Sequence, residues 1–271
     1  MARSFLTIKH THTSSSSSST AGGTYKGWSV AATLNMLGTA ARGALGAFVL
    51  PGAASFPRPA TRLTLYAYEG CPFCQKVREG LTLLDLDYLH RPCPKGGTVW
   101  RPVAAGLVEA ARGPGSRPQF PLLVDGGKPI LESTAILQHL FDAYGPGWAA
   151  APALLRVGAL ANTGTAFSRL VRPGRGVRAA PTKATADLEP LHLWGYEPSP
   201  FVRVVREVMD ELEVAVVSET AARGSVRRPG MLTKWGGQGK AQFPYLEDPN
   251  TGVAMYESDA IVAYLRATYG K

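Results

Sequence analysis

An internal repeat is the feature that most restricts how this chain can fold. The segment "YEGCPFCQKVRE" begins at Tyr68, and the related "YEPSPFVRVVRE" begins at Tyr196, an offset of 128 residues. The offset is 123 for "QFPLLVD" and "QFPYLED", and 125 for "ESTAILQHLFDAYG" and "ESDAIVAYLRATYG", which agree at seven of fourteen positions. Three paired segments in one order indicate a duplicated folding unit whose loops changed length. The 271 residues therefore predict two similar domains of modest size.

Both copies predict the same order of secondary structure. Alternating β-forming residues in "LTLYAY" and "LHLWGY" predict a first strand. Helically spaced apolar residues predict a helix after Pro72 and after Pro200. Second strands are expected near residues 87–91 and 214–218. The side chains expected on the core face of the two helices are Phe73, Val77, Leu81 and Leu84 in the first copy, and Phe201, Val205, Val208 and Leu212 in the second.

The end of each copy predicts a hairpin followed by a helix. The turns "DGGK" and "DPNTG" separate short β-forming runs. The final helices are predicted to begin at Ser133 and Ser258, both good N-cap residues, and to end at Gly145 and Gly270. The resulting order is βαβ, then α, then ββα. It predicts a small mixed four-stranded sheet with helices on both faces in each copy.

The first copy carries a Cys-x-x-Cys pair at the predicted strand–helix junction. Unpaired N–H groups and the helix dipole favour negative charge there, so the thiol pKa of Cys71 should be low and its thiolate nucleophilic. Cys74, one turn later, is predicted to be more buried and placed to attack a mixed disulfide on Cys71. Lys76 and Arg78 are expected to add positive potential. The second copy has Ser199 in place of Cys71 and no cysteine at all.

Two other readings of the cysteines remain open from the residues. Cys71, Cys74, His90 and Cys93 contain the residue types of a Cys₃His zinc site, although a strand–helix junction is not a typical zinc-binding turn. An inert buried pair is the other reading. With three cysteines in the chain, a structural disulfide framework is not expected.

The quoted motifs resemble those of glutaredoxins and of the N-terminal domain of glutathione transferases. "CPFC", then "QFP", then "ES" at a helix start occur in the order of that family over residues 62–144, and the frame recurs over 190–269. The whole chain resembles a plant or algal protein with tandem transferase-type N-terminal domains. The resemblance implies an α/β fold of two tandem thioredoxin-like (βαβαββα) domains. We expect no transferase-type C-terminal helical domain, because the sequence ends just after the second copy.

The resemblance also implies where glutathione binds. In this family the residue before a cis-proline contacts the cysteinyl part of glutathione, and a Glu-Ser pair holds its γ-glutamyl end. The residues implied in the first copy are Phe120, Pro121, Glu132 and Ser133. A second site in the other copy would comprise Ser199, Phe243, Pro244, Glu257 and Ser258. No metal is assigned, although an iron–sulfur cluster held by Cys71 of two subunits and two glutathione molecules stays an alternative.

The sequence thus predicts a glutathione-linked thiol–disulfide oxidoreductase, with Cys71 as nucleophile and Cys74 as resolving thiol. Its substrates would be protein disulfides or glutathionylated proteins, and the second copy would be a scaffold or docking module. Conjugating transferase activity is not expected without the helical domain. The alternative is a non-catalytic or redox-sensing binding or assembly factor. Cys93 is expected to resolve a second disulfide, to become glutathionylated or to be an exposed bystander.

The segments outside the repeat complete the predicted organisation. No acidic residue precedes Glu69 in a chain of net charge +9, and the N-terminus is rich in serine. This composition predicts a transit peptide for the chloroplast, with the mitochondrion as alternative. Val30–Leu50 is apolar but interrupted, so it predicts a packed helix or a membrane-surface helix. We expect no nucleic-acid partner and a solvated basic linker. The predicted units are residues 1–28 (transit peptide), 29–60 (leading helical and basic segment), 61–146 (first domain), 147–188 (basic linker with helix) and 189–271 (second domain).

Overall fold

The computed structural model describes residues 45–156, 174–235 and 242–271. The first copy contributes β1 (Leu63–Ala67), α1 (Pro72–Leu83), β2 (Tyr88–Pro92), α2 (Arg101–Arg112), β3 (Leu122–Asp125), β4 (Lys128–Leu131) and α3 (Ser133–Tyr144). A short helix, α4 (Ala153–Arg156), follows. The second copy contributes β5 (Leu191–Gly195), α5 (Pro200–Glu211), β6 (Val216–Thr220), α6 (Arg228–Trp235), β7 (Tyr245–Asp248), β8 (Val253–Tyr256) and α7 (Ser258–Tyr269). The α/β fold class and the predicted βαβαββα order are confirmed in both copies.

All eight strands belong to one sheet, in the order β4-β3-β1-β2-β6-β5-β7-β8. Within each copy the first two strands are parallel and the closing hairpin is antiparallel. The copies join where β2 pairs antiparallel with β6, with Leu89 opposite Val217. Two predicted four-stranded sheets therefore form one continuous sheet, in which each copy covers the exposed strand edge of the other. The approximate two-fold relation between the copies passes through this central pair.

Each copy packs its own apolar core between the sheet and two helices. Val77 and Leu81 of α1 are buried with residues of α3, and Val205 and Val208 of α5 are buried with residues of α7. Phe73 and Phe201 do not join these cores, contrary to the prediction, and each is 43% exposed. In the first turn of each helix the core-facing positions are taken by the next residues, Cys74 and Val202, which are buried in the two cores.

The start of the last helix in each copy differs from the prediction. Ser133 and Ser258 are the first helical residues, and the N-cap positions belong to Glu132 and Glu257. Both glutamates have a positive φ, 73° and 69°, and neither side chain caps its helix. A non-glycine residue rarely adopts this backbone conformation, so its recurrence in both copies marks a constrained position. The helices end at glycine C-caps, as predicted.

A leading segment precedes each copy and crosses to the other copy. Val49 donates its N–H to the Arg223 carbonyl in the second copy. In the reciprocal arrangement, Lys95 in the first copy donates to the Val177 carbonyl and accepts from Ala179 N–H. The segment after residue 173 is thus packed against both copies, and the prediction of a solvated linker is wrong there. The repeated unit includes this leading segment.

The remaining flanking predictions concern residues 1–44 and 157–173, which lie outside the described residues. These include the transit peptide and most of the membrane-surface helix predicted for Val30–Leu50. In the described part of the chain, none of the helices has the length and apolar character needed to cross a bilayer.

Four buried charged residues connect the copies next to the central strands. Arg78 lies 3.0 Å from Glu69 and 3.1 Å from Glu197, and Arg206 lies 3.0 Å from Glu69 and 2.8 Å from Glu197. Glu69 aligns with Glu197 in the repeat, and Arg78 aligns with Arg206. We call these four residues the charge ring. Each arginine binds one carboxylate from its own copy and one from the other copy.

The charge ring keeps the Glu69 carboxylate ionised despite burial. Desolvation raises the pKa of Glu69, but the guanidinium groups of Arg206 and Arg78 lower it more, to about 2. Desolvation likewise acts to lower the pKa of Arg78, and Glu197 and Glu69 outweigh it and raise this pKa. The ring therefore holds two positive and two negative charges out of water. Such a set is stable only while it is complete.

We predict that Arg206→Met lowers the free energy of unfolding by about 3–5 kcal/mol, because it leaves buried carboxylates without their full charge balance. Urea denaturation monitored by far-UV circular dichroism measures this loss. Arg112→Met is the control, because Arg112 makes a solvent-exposed ion pair with Glu132. It should cost less than about 1 kcal/mol. An equally small loss for Arg206→Met would show that the ring does not hold the copies together.

Candidate functional site: the cysteine loop

The sulfur of Cys71 lies at the amino end of α1, directly after the loop that follows β1. We call residues 68–71 the cysteine loop. Cys71 is the helix N-cap residue, and its Sγ accepts a hydrogen bond from the backbone N–H of Cys74 at 3.3 Å. Pro72 occupies the first helical position, where a missing N–H removes no helical bond. The strand, the proline and the unpaired helix N–H groups together place the sulfur where negative charge is favoured.

Hydrogen bonding gives the two thiols opposite acidities. The Cys74 thiol donates to the Cys71 sulfur, and with the N–H groups of Cys74 and Phe73 it outweighs burial and lowers the pKa of Cys71 to about 7. Burial and the hydrogen bond to Cys71 raise the pKa of Cys74 well above its usual range. At neutral pH about half of Cys71 is therefore thiolate, while Cys74 stays protonated. The pair consists of one nucleophile and one proton-bearing partner.

Access to Cys71 is restricted. The residue is only 4% exposed, and Cys74 is fully buried. The leading segment of the second copy covers the loop, because a Cβ placed on Gly70 would lie 2.2 Å from Val177. The neighbouring Phe73 ring is much more exposed and marks the surface closest to the sulfur along the chain. A large disulfide substrate therefore needs a small movement of the loop or of the segment at Val177.

The backbone before Pro121 faces the cysteine. The Phe120–Pro121 peptide bond is cis, as the resemblance implies, and the Phe120 carbonyl oxygen lies 4.0 Å from Cys71 Sγ. The guanidinium group of Arg101 lies over the Phe120 ring, 5.0 Å from its centroid, and Arg101 also donates to the Cys93 carbonyl. This stacking fixes the Phe120 side chain beside the site.

The Glu-Ser pair lies on the same edge of the sheet as Pro121. Leu122 of β3 pairs with Leu131 of β4, so the residues just outside this pair, Pro121 and Glu132, are neighbours. The Glu132 side chain is 56% exposed and accepts hydrogen bonds from Arg112 and Gln119. Its carboxylate is thus held at the surface and open to a second cationic partner.

Ser133 is buried in the first turn of α3. The free N–H groups of that turn provide the type of environment that binds a carboxylate. Pro121, Glu132 and Ser133 therefore lie together at one end of β3 and β4, and the Phe120 carbonyl faces Cys71.

The second copy has the same cis-proline and Glu-Ser positions as the first copy, but it has no cysteine. Phe243–Pro244 is also cis, and Glu257 and Ser258 begin α7. Ser199, however, is 1% exposed, and its Oγ accepts the Val202 N–H at 3.4 Å. It caps α5 as Cys71 caps α1. A buried hydroxyl in this position serves the helix and cannot exchange disulfides.

His90 and Cys93, two residues of the alternative zinc site, have other hydrogen-bond partners in the structure. His90 Nε2 lies 2.6 Å from Asp210 Oδ1, and the Cys93 thiol lies 3.6 Å from the Arg91 carbonyl. Cys93 is fully buried, and burial raises its pKa, so the prediction of an exposed bystander is wrong. No group of three or more potential metal ligands occurs in the part of the chain that the structure describes. An iron–sulfur cluster shared between two subunits would need a more exposed Cys71.

Residues of the second copy that were not predicted from the sequence hold the loop before Cys71. The backbone N–H of Glu69, two residues before Cys71, donates to Asp210 Oδ2, and Arg206 binds the Glu69 carboxylate. The signal was present in the repeat, because Glu69 and Arg78 recur at the aligned positions as Glu197 and Arg206. Buried charges that recur at aligned positions indicate a shared interface.

Comparison with known proteins identifies the family. The family "Glutathione S-transferase, N-terminal domain" matches residues 65–148 and again 193–271, which is more than half of the chain. The chain belongs to this family, with two N-terminal-type domains in tandem. A search of curated proteins finds no match. Among solved structures, the chain is similar to Leishmania TDR1, a trimeric glutathione transferase, with 13% identity, a TM-score of 0.28, and coverage of 78% of this chain and 68% of the other.

We predict that Cys71 reacts with iodoacetamide along a titration curve with a midpoint near pH 7, because the hydrogen bonds at the helix start stabilise its thiolate. Cysteine alkylation measured by mass spectrometry at a series of pH values locates the midpoint. Cys74 and Cys93 should stay largely unmodified below pH 9, since burial raises both of their pKa values. A midpoint for Cys71 near 8.5, the value of an ordinary thiol, would contradict this account.

Proposed function

We propose that this protein is a glutathione-linked thiol–disulfide oxidoreductase that acts on protein disulfides or glutathionylated proteins. The observation that carries the proposal is the acidity difference between two hydrogen-bonded thiols, Cys71 with a lowered pKa and Cys74 with a raised one. A nucleophilic thiolate next to a protonated thiol is the arrangement that disulfide exchange requires.

The reaction begins when the Cys71 thiolate attacks the glutathione sulfur of a glutathionylated protein. The disulfide of the substrate breaks, a Cys71–glutathione disulfide forms, and the protein thiolate leaves and takes up a proton. A second glutathione thiolate then attacks the glutathione sulfur on Cys71. Oxidised glutathione leaves and the Cys71 thiolate is regenerated. Two glutathione thiols supply the two electrons for a protein disulfide, and one free glutathione suffices for a glutathionylated protein.

Cys74 supplies the resolving step for protein disulfides. After Cys71 has formed a mixed disulfide with the substrate, Cys74 loses its proton and attacks the Cys71 sulfur. A Cys71–Cys74 disulfide forms, and the substrate leaves as a thiol. Loss of the Cys71 negative charge removes one of the causes that raise the pKa of Cys74. Formation of the mixed disulfide therefore itself makes Cys74 more acidic.

Phe120, Glu132 and Ser133 are proposed to bind glutathione. The Phe120 backbone would pair with the cysteinyl part, next to Cys71. The N–H groups at the start of α3 and the Ser133 hydroxyl would bind the γ-glutamyl carboxylate, and Glu132 would bind its ammonium group. The Glu132 carboxylate is exposed and already accepts hydrogen bonds from Arg112 and Gln119, and this exposure supports its contact with the ammonium group.

The second copy is proposed to be a scaffold rather than a second catalytic unit. Its Ser199 is buried and used as a helix cap. The second site of Ser199, Phe243, Pro244, Glu257 and Ser258 would at most bind glutathione without exchanging a disulfide.

A binding or assembly factor, with the cysteines as a redox sensor, is the second candidate function. The limited exposure of Cys71 favours it, because a nearly buried sulfur meets large substrates rarely. The exposed Phe73 beside that sulfur would then contact a partner protein.

Turnover of a glutathione mixed disulfide with glutathione, measured by release of oxidised glutathione, tests the first function. We expect Cys71→Ser to abolish activity, because it removes the nucleophile. Cys74→Ser should retain activity on the glutathione mixed disulfide, because a serine hydroxyl can still donate to Cys71 and glutathione itself resolves. Ser199→Ala serves as the matched control at the aligned position and should leave the rate unchanged.

If the parent protein were no more active than the Cys71→Ser variant, the proposal of an enzyme would be wrong. The binding function would then be supported if one stoichiometric partner co-purified with both the parent protein and the Cys71→Ser variant.

We further propose that the chain is a plant or algal protein and that its serine-rich N-terminus directs it to the chloroplast. The residues from 1 to 28 fused to a fluorescent protein should accumulate in chloroplasts of plant cells, because the segment is basic and free of acidic residues. The same fusion with its basic residues replaced by glutamate is the control. Mitochondrial or cytosolic fluorescence of the first fusion would contradict this address.

A further inference from the structure

The interface between the copies is nearly symmetric, but it is asymmetric at two buried positions. Asp210 of α5 aligns with Thr82 of α1, and His90 of β2 aligns with Ser218 of β6. On one side of the interface the pair is a carboxylate and an imidazole. On the other side it is two hydroxyl groups. The charge ring itself is identical on both sides, and a further difference lies at the partly exposed Arg203, which is 3.6 Å from Glu69 and aligns with Gln75. Asp210 and His90 are thus the buried residues that distinguish the environments of the two aligned loops.

The pair of Asp210 and His90 faces the loop that carries Cys71. Asp210 Oδ2 accepts the backbone N–H of Glu69, and Asp210 Oδ1 lies 2.6 Å from His90 Nε2. Asp210 and His90 are both almost fully buried. The Glu69 carboxylate is bound by Arg206 of the same helix α5. The second copy therefore holds both the backbone and the side chain of a residue only two positions before Cys71.

The loop without cysteines lacks the equivalent contact. Thr82 Oγ1 donates within its own helix to the Arg78 carbonyl, and in the described residues no bond joins it to the Glu197 N–H. A small polar cavity occupies this place, and Thr82, Glu197 and Ser218 are among the residues that line it. The loop of the first copy is therefore bonded to Asp210 of the second copy, whereas the loop of the second copy has no such bond to Thr82 of the first copy within the described ranges.

We propose that Asp210, oriented by His90, is a positioning residue for the nucleophile Cys71. It fixes the backbone at Glu69 and with it the loop that places the Cys71 sulfur against the N–H groups of α1. The inference rests on the proposed function in so far as Cys71 is the nucleophile. It assigns to the second copy a part in catalysis that does not need its own cysteine.

The physical reason lies in the short range of the bonds to the sulfur. A hydrogen bond to sulfur weakens steeply with distance and angle, so a loop displaced by a fraction of an ångström loses much of the thiolate stabilisation. Asp210 makes no contact with the sulfur itself. Its loss should therefore act through loop position, and the Cys71 pKa should rise. Removal of a negative charge alone would have the opposite effect, because it would favour the thiolate.

Alkylation of the reduced full-length protein with iodoacetamide, followed at Cys71 as a function of pH, tests the proposal. Asp210→Thr introduces the residue that the chain itself carries at the aligned position 82. We expect the midpoint for Cys71 to rise by about one pH unit, so that the rate at pH 7 falls about fivefold. Asp210→Asn should keep the parent midpoint or lower it slightly, since its amide can accept from Glu69 N–H and donate to His90 while a negative charge is removed.

Met209→Ala controls for a general loss of stability, because Met209 is buried in the core of the second copy on the same helix. It should lower Tm at least as much as Asp210→Thr and leave the Cys71 midpoint unchanged. If Asp210→Thr does not fold, the double variant Asp210→Thr/His90→Ser reproduces both residues of the opposite side and replaces it.

The outcomes separate the two proposals. An unchanged or lowered Cys71 midpoint in Asp210→Thr, or an equal shift in Asp210→Asn or Met209→Ala, overturns the positioning role. A parent midpoint near 8.5 would instead count against the proposed function, because Cys71 would then lack the acidity on which disulfide exchange at neutral pH depends.

Discussion

The charge ring is the interaction on which the rest of this structure depends. Arg78 and Arg206 each bind Glu69 and Glu197, so every charge in the ring is balanced by partners from both copies. A buried ion has a large desolvation cost, and the cost is offset only by a complete set of partners. Neither copy could bury its own arginine and glutamate equally well alone. The two repeats therefore form one folded unit, and the shared sheet through β2 and β6 follows the same two-fold relation.

The charge ring explains how the second copy can share the frame of the first copy without its cysteines. The ring constrains Glu197 and Arg206 as strongly as Glu69 and Arg78, whereas the helix cap needs only an acceptor at position 199. A serine oxygen satisfies that need. The thiol pair can thus occur in one copy while the other copy completes the interface with the same charged residues. The leading segments support the same view, since each crosses to the opposite copy.

The repeat was sufficient to predict the order of elements, because each copy independently carries the patterns for strand, helix and hairpin. The joined sheet could not be predicted, since nothing in the side chains of β2 or β6 shows whether the free edge of the strand faces solvent or pairs with another strand. Phe73 and Phe201 were misplaced because the large ring was assigned to the core, whereas the smaller residue that follows each of them, Cys74 or Val202, is the one that is buried. The position of Cys71 at the helix start followed from Pro72 and the preceding strand. Its low exposure did not, because Val177 covers the loop from more than a hundred residues away.

Hydrogen bonds lower the pKa of Cys71 more than the nearby positive charges do, which differs from the expectation from the sequence. Arg78 was expected to stabilise the thiolate by its positive charge, but it is bound to two carboxylates and ranks below the hydrogen bonds as a cause of the lowered pKa. Charge acts over many ångströms and tolerates small displacements, whereas hydrogen bonds do not. A thiolate stabilised mainly by N–H groups and by a neighbouring thiol is therefore sensitive to the position of its loop. Because residues of the second copy anchor this loop, the reactivity of Cys71 depends on the interface between the two copies.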